Sequence, residues 1–139
     1  MKDLDRKYSL YKTLIQKVQD KHGFIESKEC DSLLWSGLVG TVPDIKVDIM
    51  AAFDAKKGVW HRRPSKDCWP EHSASTISRD MLLGLLAYCI KHQKGVIADQ
   101  IVKHAITHFG FMGKGTGVVG LSRINIMPNL FVSYLLISN

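Results

Sequence analysis

Apolar residues recur along this chain at spacings of three and four nearly from end to end, the period of a helix with one buried face. Leu4, Tyr8, Tyr11, Ile15 and Val18, separated by lysines, Arg6 and Asp20, predict an amphipathic helix over residues 3–20, with Gly23 as its C-cap. Asp31 or Ser32 caps a second helix carrying Leu33, Leu34, Trp35, Leu38 and Val39, whose few charges predict burial. Pro43, at a first helical position, opens a third helix with Ile45, Ile49, Ala52 and Phe53, ending at Lys56-Lys57-Gly58. Ile45, Val47 and Ile49 also alternate as a strand would, with Lys46 and Asp48 outward, but Met50-Ala51-Ala52 favours the helix.

From Val59 to Ser75 no period is sustained, and Pro64 and Pro70 interrupt the chain, so this segment reads as an ordered loop. A fourth helix begins near Ser75 or Ser78, carries Ile77, Met81, Leu82, Leu85, Leu86, Cys89 and Ile90, and stops around Gly95. Gly84 and Ala87 lie on another of its faces, where a neighbouring helix can approach closely. A fifth helix, Val96 to Phe109, follows so tightly that the two should form an antiparallel hairpin. Five glycines between Gly110 and Gly120 mark a second irregular stretch. The last helix, from Pro128 through Leu130, Phe131, Val132, Tyr134, Leu135, Leu136 and Ile137, is apolar nearly all round and needs a partner surface in the core, in another chain, or in further helices of a longer protein. The expected fold is all-α, five or six helices in antiparallel hairpins within a single domain, 1–139, with ordered loops around 58–76 and 110–125.

The 139 residues and 45% hydrophobic content suit one ordinary core. The charged start MKDLDRK leads into no apolar segment, and no run reaches the roughly 20 apolar residues of a membrane span, so a protein made in the cytoplasm is expected. Three cysteines, Cys30, Cys68 and Cys89, form no dense framework and are expected to be reduced. A net charge of +6 favours acidic partners, yet the basic residues are spread along the chain, and nucleic acid is not the expected partner.

Candidate chemistry gathers between Gly58 and Gly84. Ser78-Arg79-Asp80 heads the fourth helix, where a cap and a carboxylate are stabilising in themselves. Asp80 and Glu71 are the candidate catalytic carboxylates, beside Trp60 and Trp69, with His61, Arg62, Arg63 and Arg79 available for an anionic or polyhydroxylated ligand. Glycoside cleavage needs two carboxyls about 5 to 10 Å apart, and Asp48, Asp54 and Asp67 are further partners for Asp80. Arginines pairing with the same carboxylates would instead lock the loop onto the helices. Cys68 with His72, and Cys89 with His92, could assemble a zinc site with His61 as an extra ligand, although the spacing is not that of a zinc finger and no metal is favoured. His104 and His108 lack the glutamate of a zincin helix, and Gly113-Lys114-Gly115-Thr116 lacks the leading glycine of a phosphate-binding loop. No cofactor is implied.

The order Cys30-Asp31-Ser32-Leu33-Leu34-Trp35-Ser36-Gly37-Leu38, Trp60-His61-Arg62-Arg63-Pro64 and Thr76-Ile77-Ser78-Arg79-Asp80-Met81-Leu82-Leu83-Gly84, extending to Met127-Pro128-Asn129-Leu130, resembles uncharacterised proteins encoded by tailed bacteriophages. Helical hairpins with an arginine-aspartate pair at an inner helix start are also similar to α/α-toroid carbohydrate enzymes. The first resemblance implies a virion-associated or assembly protein acting through protein-protein contacts, with virion proteins or copies of itself as partners. The second implies a glycosidase or lyase acting on carbohydrate through Asp80 and a second carboxylate.

Overall fold

The computed structural model describes residues 2–68, 77–114, 123–126 and 128–138. Among these the chain is mostly helical, with α1 (Lys2–Lys17), α2 (Ser32–Val39), a 3-10 turn (Ile49–Ala52), α3 (Arg79–His92), α4 (Gly95–Thr107) and α5 (Pro128–Ile137). Two small antiparallel pairs complete it: β1 (Phe53–Asp54) with β2 (Val59–Trp60), and β3 (Phe111–Lys114) with β4 (Arg123–Asn125). The glycine-rich stretch expected to be irregular is therefore bounded by a two-stranded ladder.

The centre of the fold is the seam between α2 and α3. It closes backbone to backbone: a Cβ on Gly37 would lie 2.3 Å from the Gly84 carbonyl oxygen, and one on Gly84 would lie 2.5 Å from that of Leu34. So α2 buries its small side, Ser32, Ser36 and Gly37, together with Leu33, while Trp35 and Leu38 face solvent. The expected burial of the whole helix is corrected in this respect. Close approach selects the residues with the least side chain, whatever their hydrophobicity.

The expected helix after Pro43 does not form. Asp44 adopts a left-handed backbone, and residues 45–48 take neither helix nor strand, with Ile45, Val47 and Ile49 buried and Lys46 and Asp48 exposed. Tertiary hydrogen bonds hold this strip: Asp48 N-H donates to the His22 carbonyl (2.9 Å) and the Tyr88 hydroxyl to the Val47 carbonyl (3.1 Å). The alternating pattern wins because each inward side chain reaches the core.

Gly23 does not cap α1, which stops at Lys17. It takes its left-handed conformation in the following turn, where the Asp20 carboxylate accepts from the His22 and Phe24 N-H groups at 2.8 Å. α3 and α4 join through Gln93 and Lys94, with Gln93 in the left-handed region, and α4 packs mainly on α5. α5 sends Leu130 and Tyr134 into the core, where the Tyr134 hydroxyl donates to the Leu82 carbonyl. Phe131 and Ile137 are half-buried against the core, while Val132, Leu135 and Leu136 remain exposed, Leu136 at 82%.

Candidate functional site

Ser78 sits at the N-cap position of α3, but its side chain closes no cap hydrogen bond. With Arg79 and Asp80 it forms the polar head of a groove of about 630 Å³ between α3 and α5, lined further by Leu83, Leu86, Asn129, Leu130 and Ser133. A second hollow lined by Cys89, Ile90, Gln93, Gly95 and Ile137 continues the same seam towards the far end of both helices. Arg79, Leu83, Leu86, Ile90 and Gln93 recur at spacings of four and three, placing them on one stripe of α3. The early residues of α3 and α5 line the first hollow and their late residues the second, so the two helices run parallel and the groove has a polar head, an apolar middle and a distinct foot.

Of the residues singled out in the sequence, Arg79 and Asp80 stand at this groove. The others do not share one surface. Trp60 is a core residue with its ring 5.0 Å from that of Phe53, and its indole N-H has no hydrogen-bond partner among the described residues. Arg62 is only 7% exposed, and its guanidinium lies 3.4 Å from the Asp31 carboxylate. Burial lowers its pKa, while the charges of Asp31 and Asp80 oppose that shift. Asp31 therefore spends its carboxylate on Arg62 and makes no side-chain cap on α2. Arg63 bonds to Asp67 at the surface. His61 lies 3.9 Å from Asp54, a distance too long for a hydrogen bond, and burial pushes its pKa down.

The carboxylates proposed as partners for Asp80 are held elsewhere. Asp54 organises the β1–β2 turn by accepting from the Lys56 and Lys57 N-H groups and from Lys66 at 3.1 Å; the Lys66 hydrogen bond leads in keeping its pKa low. Asp67 is bonded to Ser65 and Arg63, and Asp48 lies 3.8 Å from His22. Among the described residues that line the groove, Asp80 is the single carboxylate. Trp69, Glu71 and His72 lie outside the described residues.

The zinc grouping is corrected at both halves. Cys68 is joined to Cys30 in a disulfide, so neither is the reduced thiol expected from the cysteine count, and Cys68 is not a thiolate ligand. Cys89 is fully buried, and burial pushes its thiol up to about 11. His92 is hydrogen-bonded to the Gly40 carbonyl at 2.7 Å, with its ring tilted against that of Tyr88. No cluster of three or more metal-donor side chains occurs among the described residues. His104 and His108 stack with ring centroids 4.0 Å apart at the end of α4.

Sequence reasoning missed the other wall of the groove. Asn129 and Ser133 are ordinary surface residues by type, and only the packing of α5 beside α3 brings them to Asp80. It also missed the openness of α1: Leu4 is 71% exposed and Leu14 53%, with Leu10 and Tyr11 also exposed and Val18 exposed just past its end, while within the helix Ile15 alone is buried. Spacing identifies an apolar stripe and cannot say what covers it. No described helix is long and apolar enough to cross a membrane. No family model, curated protein or solved structure matches the chain.

Proposed function

We propose that the protein works by binding other protein chains, as a virion-associated or assembly protein encoded by a tailed phage. The observation that carries this reading is the apolar surface left on α1 and α5, led by Leu4, Leu14 and Leu136. Apolar side chains left exposed along the face of a helix are the kind of surface that a partner covers. The Cys30–Cys68 disulfide supports the same reading, because disulfides persist at virion surfaces and in other oxidising places but are rare in the cytosol. The chain would be made in the cytoplasm and reach the virion afterwards. The two-residue link between α3 and α4 supports an antiparallel hairpin as one unit of a toroid-like helical arrangement.

A carbohydrate-cleaving role for Asp80 draws support from the groove at its side. It is the second reading, because the described lining supplies no second carboxylate for the two-carboxyl chemistry. Chemical cross-linking of the native chain in lysate from its source tests the choice. Cross-links from Lys7, Lys12 or Lys91 to lysines of a separate chain are expected, and Leu14→Glu or Leu136→Glu should reduce them several-fold with helicity retained. Purely intrachain cross-links, together with oligosaccharide cleavage that Asp80→Asn abolishes, would overturn the binding role.

A further inference from the structure

We propose that the hollow between the β1–β2 turn and α4 binds a small phosphate monoester that carries hydroxyl groups, the chemistry of a sugar phosphate. The residues concerned lie apart from the α3/α5 groove, and the proposal does not rest on the protein-binding reading above.

The hollow, of about 280 Å³, has two walls. One is a polar stripe of α4, Gln100, Lys103, His104 and Thr107 at helical spacing, with His108 just past the helix end. Ile97, Ile101 and Ala105 of the same helix enter the core instead. The other wall is the hairpin, which contributes Phe53, Lys57 and Gly58, with the Phe53 ring backed by Trp60 at 5.0 Å. Ligand pockets commonly hold roughly 300 to 1,000 Å³, so this one suits a single small ester and is too small for a dinucleotide.

The charge of the lining has one sign. No carboxylate is among the described residues that form it. Asp54, below the hairpin turn, is taken up by Lys66 and by the N-H groups of Lys56 and Lys57. Asp99 reaches Lys103 at 2.8 Å, a pair within one helical turn in which the Lys103 side chain is 74% exposed. Such a pair is weak, and an ammonium has three N-H donors, so Lys103 can still turn to an anion. Lys57 and Lys103 come from opposite walls. A group between them is held from two sides, which favours the nearly double charge of a phosphate over the single charge of a carboxylate.

A metal ion does not fit the two imidazoles as they stand. The rings of His104 and His108 stack 15° from parallel with centroids 4.0 Å apart, and a metal must lie in the plane of each ring that binds it. The polar groups suit hydroxyls instead. His108 Nδ1 lies 2.9 Å from the His104 carbonyl, which can only accept, so the proton sits on Nδ1 and Nε2 of the neutral ring is left to accept from a ligand O-H. The Thr107 hydroxyl donates within α4 to the Lys103 carbonyl and keeps its own acceptor capacity. Gln100 Oε1 is buried without a hydrogen-bond partner among the described residues. Turning that amide towards a ligand breaks no bond at the oxygen and relieves an unpaired acceptor. Phe53 offers an apolar face to the C-H side of a sugar.

The test is titration of the isotope-labelled full chain with ribose 5-phosphate, inorganic phosphate, sulfate and adenosine monophosphate, followed by backbone amide shifts at constant ionic strength. Ribose 5-phosphate is expected to saturate, with shifts confined to Lys57, Gly58 and the segment from Gln100 to His108, and to bind more tightly than phosphate or sulfate. Lys57→Glu and Lys103→Glu, both at exposed positions, should each weaken it about tenfold or more. Asp99→Asn, which removes the competitor for Lys103, should tighten it roughly threefold. Gln100→Leu should bring the ester down to the affinity of inorganic phosphate while leaving phosphate itself unchanged, and that retained binding shows the variant is folded. Absence of saturation, shifts centred elsewhere, or lysine variants that bind as the wild type does would overturn the proposal. So would sulfate or free phosphate matching the ester, which marks an unselective basic patch, or binding of adenosine monophosphate without ribose 5-phosphate, which makes the base the recognised part.

Discussion

His61 is held where its charged form is disfavoured. Burial is the main cause of its lowered pKa, and the Lys66 charge adds to it against the pull of Asp54. The unfolded chain takes up a proton near the ordinary value of 6.5, while the folded chain binds one only at lower pH. Stability contributed by the neutral imidazole is therefore present above 6.5 and lost as pH falls from there towards the folded value. Urea midpoints measured above and below 6.5 should show this loss, and His61→Gln should flatten it. Asp54 titrates in a separate window, its carboxylate lying below 3.8. At this scale the sequence marks Trp60-His61-Arg62-Arg63 as unusual by residue type, but not where each side chain goes. Trp60 turns into the core, Arg62 runs inward to Asp31, and Arg63 turns out to Asp67, so three neighbours have three fates. Long-range partners such as Asp31 carry that information, and local pattern does not.

The elements show why period and burial are separate facts. α3, α4 and α5 were legible from spacing almost to their ends, because each has a core face set by regularly placed apolar residues. Residues 45–48 were not, since the two periods compete over so short a run and tertiary bonds from His22 and Tyr88 decide. Gly84 was legible as a place of close approach, but its partner Gly37 was not, since nothing local pairs them. The seam gives a sharp expectation: Gly84→Ala puts a methyl 2.5 Å from a backbone oxygen that cannot move without shifting α2. Overpacking of this kind costs roughly 1 to 3 kcal/mol or more, although alanine is the better helix former. Equilibrium urea unfolding measures it, and an unchanged or raised midpoint would contradict the seam.

For the whole molecule, the Cys30–Cys68 disulfide links the segment before α2 to the loop after β2, across a sequence separation of 38. Closing a loop of that length stabilises by about 4 kcal/mol in the chain-entropy account. Cys30→Ser/Cys68→Ser should accordingly lower unfolding stability by about 2 to 4 kcal/mol, read in denaturant with helicity retained at zero urea. The mainly helical class was legible because periodicity runs through most of the chain. The disulfide was not, because three cysteines admit three pairings and only the fold brings Cys30 to Cys68.

The contacts at the centre of this fold also bear on how quickly it can be reached. The Tyr88 hydroxyl meets the Val47 carbonyl across 41 positions and the Tyr134 hydroxyl meets that of Leu82 across 52, while α2 and α3 close over the intervening loop. Helical proteins usually fold fast because their contacts are local, and loop closure must precede any gain from distant ones. This chain carries helical secondary structure on a non-local contact map. Its folding rate should fall nearer to those of mixed α/β domains than to those of simple bundles.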